Sequence, residues 1–167
     1  MATVSFKGNP IHTCGDLPAV GSKAPAFTLV NQTLQDVSLA DFSGRRKLLN
    51  VFPSLDTSVC AKSIRTFHEF AKGHVGPAYL MISADLPFAQ ARFATTEGLA
   101  HVTMLSMMRD RQFARDYGVL LVDGPLAGLA ARAVFVLDEQ DEVLYTELVA
   151  EIGHEPDYDT ALRALAG

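Results

Sequence analysis

The chain is poor in the features that would place it in a membrane, on a nucleic acid or in a disulfide-stapled class. No segment approaches the ~18 uninterrupted apolar residues that a membrane helix needs. The first ten residues, MATVSFKGNP, have no apolar core of the kind a secretory signal carries. Basic residues are scarce and scattered: the longest run is Arg45-Arg46-Lys47, and the net charge of 167 residues is −5. That balance argues against nucleic acid or an anionic membrane as the main partner. Cysteine occurs only twice, at Cys14 and Cys60. Together with the lack of an export signal, this points to a reducing cytoplasm, where a cysteine is more often chemical than structural. There is no Cys-x-x-Cys pair, and the five histidines and two cysteines show no paired ligand spacing, so neither a dithiol reductase nor a metal site is expected. No cofactor is expected either. Repeats, low-complexity tracts and linkers are absent, which leaves a single domain over 1–167.

What is present is a composition of 49% hydrophobic and 20% charged residues, that of a globular α/β domain with a full core. The segment KLLNVF reads as a buried central strand, and Pro53 ends it because proline cannot donate to a sheet ladder. Asp56, Thr57 and Ser58 are each able to cap the helix that follows. Cys60, Ile64, Phe67 and Ala71 then recur at i, i+4, i+7 and i+11, one face of that helix. Cys60 therefore falls on the inward face, at the helix end where the dipole favours a negative charge and so a thiolate.

Around this centre the pattern predicts a β-hairpin over residues 1–14 and a strand over Ala26–Val30. A single helical turn is expected at Leu39–Gly44, and strands at Pro77–Ala84, Val102–Leu105, Ala133–Leu137 and Val143–Val149. Helices are expected at Pro87–Glu97, Asp110–Tyr117 and Pro156–Ala166. The order β-α-β-α-β-α-β-β-α implies a mixed sheet with helices on both faces.

The run Pro53 to Cys60 fits Pro-x-x-x-Thr-x-x-Cys, which resembles the peroxidatic loop of peroxiredoxins. The stretches LLNVFPSLDTSVC, ISADLPFAQARF and DGPLAGLAARAVFVLDE, with the N-terminal hairpin and the closing EPDYDTALRAL, are similar to the thiol peroxidase branch over essentially the whole chain. The resemblance implies a thioredoxin-like fold with an added N-terminal hairpin and a homodimer. It also implies reduction of hydrogen peroxide and alkyl hydroperoxides with electrons from thioredoxin or another thiol. It casts Cys60 as the nucleophile, Thr57 and Arg132 as groups that bind peroxide and stabilise the thiolate, and Pro53 as a shield against water. Such residue types suit the chemistry, because the site must stabilise first a thiolate and then the charge developing on the leaving oxygen.

One position departs from that pattern. A second, resolving cysteine is expected directly after Arg92-Phe93, and the residue there is Ala94. Recycling of an oxidised Cys60 is thus open to three accounts: an external thiol, Cys14, or a replacement at 94 that blocks it. Two other classes compete with the reading. A cysteine hydrolase needs a histidine base, but His68 is eight residues along the same helix and so about 12 Å away. His74 is farther, while His12, His101 and His154 are not placed by the sequence. A non-enzymatic redox sensor or binding module of thioredoxin fold would oxidise once at Cys60 and stop, whereas an enzyme would turn over.

Overall fold

In the computed structural model, which describes residues 1–167, the segment Lys47–Val51 is a strand buried at every position, and the layers build outward from it. Two hairpins precede it: β1 (Thr3–Phe6) with β2 (Asn9–His12), and β3 (Thr28–Val30) with β4 (Asp36–Ser38). A 3-10 turn spans Leu39–Phe42. After β5 (Lys47–Val51) come α1 (Ser58–Gly73), β6 (Ala78–Ser83), α2 (Pro87–Glu97), β7 (Thr103–Ser106) and α3 (Gln112–Asp116). The chain closes with β8 (Ala133–Leu137), β9 (Val143–Leu148) and α4 (Tyr158–Ala166).

The first hairpin stands as its own two-stranded sheet, and the other seven strands form one sheet in the order β4-β3-β7-β6-β5-β8-β9. β5 pairs parallel with β6 and antiparallel with β8, so the sheet is mixed, as the order of elements implied. Because successive side chains on a strand point to opposite faces, Leu48 and Leu49 belong to different layers. Leu48, Met81, Met104, Val134 and Val136 meet Cys60, Ile64, Phe67 and Ala71 of α1 and Ala161 and Leu165 of α4. Leu49, Val51, Leu80, Ile82 and Phe135 meet the first hairpin, the 3-10 turn and Phe113 and Ala114 of α3 on the other side. Helices thus cover both faces of a thioredoxin-like sheet.

The expected helix over Pro87–Glu97 has those bounds, with proline in its first turn and Gly98 left-handed at its C-cap (φ 68°). Three differences have local causes. β4 was not expected, because three residues, Asp36-Val37-Ser38, are too few to show alternation and form a strand only by pairing with β3. The helix expected over Asp110–Tyr117 is shorter, Gln112–Asp116: the Asp110 carboxylate accepts from the Gln112 amide (2.9 Å), and Gly118 ends the turn at φ 70°. A side chain at 118 would also collide with the Asp16 carbonyl. The last helix begins at Tyr158 rather than Pro156, where Asp157 accepts from the Thr160 amide as N-cap.

Leu49 has no exposed surface and sits in the central strand, so Leu49→Ala is expected to cost about 3 kcal/mol of unfolding free energy, transfer and cavity terms together. A urea titration checks it; a loss below ~1 kcal/mol would mean that the layer closes over the gap.

Candidate active site

The loop between β5 and α1 is held from below by one carboxylate. Asp85, just past the end of β6, accepts from Ser54 Oγ (2.8 Å), the Leu55 amide (2.9 Å) and Ser83 Oγ (2.6 Å). The first α-helical bond of α1 runs from the Ala61 amide to the Thr57 carbonyl (3.0 Å), so the amides ahead of Ala61 lie at the helix start without i→i−4 partners. Cys60 is the third residue of this helix, and its carbonyl is fixed to β5 through a short relay. Asn50 Nδ2 donates to Ser63 Oγ (3.1 Å), which donates to the Cys60 carbonyl (2.8 Å).

Arg132 reaches the same place from the start of β8. The register decides this: Val51 pairs with Ala133, so the residue before β8 stands beside the residue after β5. Arg132 Nη2 donates to Cys60 Sγ at 3.2 Å, and Nε donates to the Ile152 carbonyl at 2.8 Å. Nη1 is buried with no hydrogen-bond partner. Arg132 is 1% exposed and Cys60 0%, which makes this a sulfur–guanidinium pair out of water. The contact is a hydrogen bond from a cationic donor to sulfur, made where no water competes for either group.

Pro53, Thr57 and Arg132 line one cavity of about 230 Å³, whose remaining wall is largely apolar, from Phe6, Val59, Leu126, Leu129 and Ile152. The sequence-predicted residues Pro53, Thr57, Cys60 and Arg132 therefore converge. One detail differs from expectation. Thr57 occupies the N-cap position, yet its hydroxyl donates to the Ser54 carbonyl (3.0 Å) instead of accepting from the helix, because the tight turn brings that carbonyl within reach. Cys60 has no exposed surface; Arg132 both touches its sulfur and forms part of the cavity wall.

Ala94 lies on α2, packed against the same apolar layer that contains Cys60, and the two helices are tied by Arg65 and Glu97 (2.7 Å). Cys14 is elsewhere. Its sulfur lies against the Ala114 and Arg115 carbonyls (3.8 and 3.7 Å), beside α3 on the opposite face of the sheet. Both cysteines are free. No histidine bonds to Cys60 or lines the cavity: His12 pairs with Asp123 (2.6 Å), His74 stacks on Phe70, His68 packs against His101 with ring centroids 5.6 Å apart, and His154 lies with Ser58, Val59 and Lys62 around a separate surface depression. Burial pushes the His68 imidazole down, with His101 and Lys72 acting in the same direction. The Tyr158 hydroxyl beside Glu155 holds its carboxyl below the usual carboxylate range, helped by Lys62 and, more weakly, Arg132.

The residues that pattern reading missed are Asp85, Ser54 and the apolar wall of Phe6, Leu126, Leu129 and Ile152. Asp85 carried a signal, a lone carboxylate directly after a buried strand; the wall residues carried none, since they come from three separate parts of the chain.

A thiol at a helix start, bonded to a buried arginine beside a cavity lined by Pro53 and Thr57 in a thioredoxin-like fold, is the arrangement that the resemblance to peroxiredoxins implies. Comparison with known proteins agrees. The Redoxin family profile matches residues 19–162. The thiol peroxidase of Mycobacterium bovis is 53% identical over 165 residues, covering 99% of each chain, the hairpin included. A peroxiredoxin-like protein from Aquifex aeolicus superposes with a TM-score of 0.94 at 37% identity, over 99% of this chain and 96% of that one. The thiol peroxidase from Chromobacterium violaceum gives 0.91 at 28% identity, over 98% and 95%. The chain belongs to the Redoxin family, in its thiol peroxidase branch.

Asp85→Ala removes three acceptor contacts from the loop and β6, and is expected to speed amide hydrogen exchange over residues 54–60 at least tenfold, about 1.4 kcal/mol of local opening. Exchange at the wild-type rate would show that Asp85 does not hold the loop.

Proposed function

We propose that Cys60 is the peroxidatic nucleophile of this enzyme and that Thr57, Arg132 and Pro53 are its working neighbours. The observation that carries the reading is the 3.2 Å bond from Arg132 Nη2 to Cys60 Sγ, both groups being buried. The Cys60 thiolate attacks the terminal oxygen of R–O–O–H. The S–O bond forms as the O–O bond breaks, leaving Cys60 sulfenic acid and an alkoxide or hydroxide that takes a proton from solvent. Arg132 stabilises the thiolate through Nη2, and its unpartnered Nη1 is the donor for a peroxide oxygen. The Thr57 hydroxyl, already donating to Ser54, offers its lone pairs to the peroxide O–H. Pro53, buried at the loop start, has no N–H and keeps water from the sulfur. Because Cys60 has no exposed surface, contact requires a small shift of the first turn of α1.

The apolar wall suits organic hydroperoxides as well as hydrogen peroxide. Recycling runs through an external thiol, thioredoxin or another. Its thiolate attacks the sulfenic sulfur and expels hydroxide, which takes a proton from solvent to become water, and a second thiol reduces the resulting mixed disulfide. The position of Cys14 on the far face of the sheet supports this route over an internal one. We read the chain as one domain over 1–167, acting in the cytoplasm as a homodimer; no helix is long and apolar enough to cross a membrane.

Cys60→Ser is expected to abolish peroxide consumption, to below about 1% of wild type, and Arg132→Ala to slow oxidation of the remaining thiol by about 100-fold in stopped-flow mixing. Turnover by the serine variant would remove Cys60 from the centre of the reaction; an unchanged rate in the alanine variant would remove Arg132.

Ala94→Cys places a thiol on α2 against the layer that holds Cys60, so an internal disulfide is expected after one equivalent of peroxide, seen by peptide mapping. Finding only sulfenic or sulfinic Cys60 would show that α2 cannot open far enough to bring the two sulfurs together.

A further inference from the structure

The guanidinium that grips the sulfur is itself aimed by a single carbonyl, that of Ile152 (2.8 Å from Nε), and Ile152 sits in a turn after β9 with no regular structure of its own. What fixes that turn is the N-terminal hairpin. The Ser5 amide donates to the Ala150 carbonyl (2.8 Å) and the Ile152 amide to the Ser5 carbonyl (2.9 Å). Between the two segments lies one carboxylate, Glu151. Its Oε1 accepts from Ser5 Oγ (3.1 Å) and from the Gly8 amide in the hairpin turn (3.0 Å), while Oε2 accepts from the Gly153 amide (3.0 Å). Three donors from two separate parts of the chain thus converge on a group that can only accept.

We infer that Glu151 is a positioning residue for peroxide reduction: its carboxylate locks the hairpin turn to the 151–153 turn, so that the Ile152 carbonyl keeps the Arg132 guanidinium on the Cys60 sulfur. The inference rests on the role of Arg132 given above. Donation from the Gly153 and Gly8 amides holds the Glu151 carboxyl below the usual carboxylate range, so the lock is an anion at neutral pH. Its partner segments also supply cavity wall, Phe6 from the hairpin and Ile152 and Gly153 from the turn, beside the Arg132 guanidinium. Glutamine has the shape of glutamate but turns an N–H2 toward one of these donors. Glu151→Gln therefore tests the acceptor chemistry with little change of volume.

The experiment is a double-mutant cycle on the second-order rate of Cys60 oxidation by hydrogen peroxide, with wild type, Glu151→Gln, Arg132→Ala and the double variant, each checked by thermal unfolding. The expected result is roughly tenfold slowing by Glu151→Gln when Arg132 is present, because a misplacement near 1 Å is enough for such losses, and no further slowing when Arg132 is absent. Equal slowing in both backgrounds would assign Glu151 a merely structural part and overturn the inference, as would a wild-type rate for Glu151→Gln. A wild-type rate for Arg132→Ala would instead fault the role of Arg132 itself. If the glutamine variant fails to fold, Ser5→Ala takes its place in the cycle, removing one of the three donors, with two- to threefold slowing expected only when Arg132 is present.

Discussion

Everything in this site depends on a cation and a sulfur that are each costly alone in the interior and acceptable together. A guanidinium with 1% exposure would be strongly destabilising without partners, and a thiolate with no exposure likewise. Held 3.2 Å apart, with the Ile152 carbonyl taking a second N–H, they satisfy one another while one guanidinium nitrogen stays unpartnered. That leftover donor is what a purely structural ion pair would lack. Preorganised donors in a dry pocket act on developing charge without reorganising, the physical basis of fast attack on a weak O–O bond.

The fold delivers these two groups by different routes, and the sheet is the common reference. Cys60 comes from the start of α1, whose apolar face is fastened to the sheet by Ile64, Phe67 and Ala71. Arg132 comes from the residue before β8, placed beside the end of β5 by the pairing of Val51 with Ala133. A slip of one residue in that register would send the Arg132 side chain to the other face and leave the sulfur without its cation. The polar fixings around the pair, Asp85 under the loop and Asn50–Ser63 behind the Cys60 carbonyl, are buried or half-buried bonds of the kind that specify one geometry rather than add much stability.

The hairpin at the N-terminus lies ahead of the residues matched by the broader family and is an addition to the basic sheet. It contributes Phe6 to the cavity and binds the turn that carries Ile152. No residue of α2 lines the cavity, so on the proposed reading Ala94, where the resemblance expects a resolving cysteine, bears on the recycling of Cys60 and not on its reaction with peroxide.

The order of strands and helices, the two-faced sheet and the thiol at a helix start were legible in the sequence, because each is set by local rules. Those rules are the short apolar run of β5, the i, i+4, i+7 spacing from Cys60, proline and glycine at the ends of α2, and the Pro53–Cys60 pattern. Arg132 could be singled out only through resemblance, since nothing within its own segment says what lies 72 residues away. The tertiary structure alone decided the rest. It made β4 a strand, turned the Thr57 hydroxyl from cap to loop fastener, and gathered Phe6, Leu126 and Ile152 into one wall. It also removed Cys60 from solvent entirely. These outcomes come from contacts between residues far apart in the chain, where register and packing choose the partner and no local periodicity records the choice.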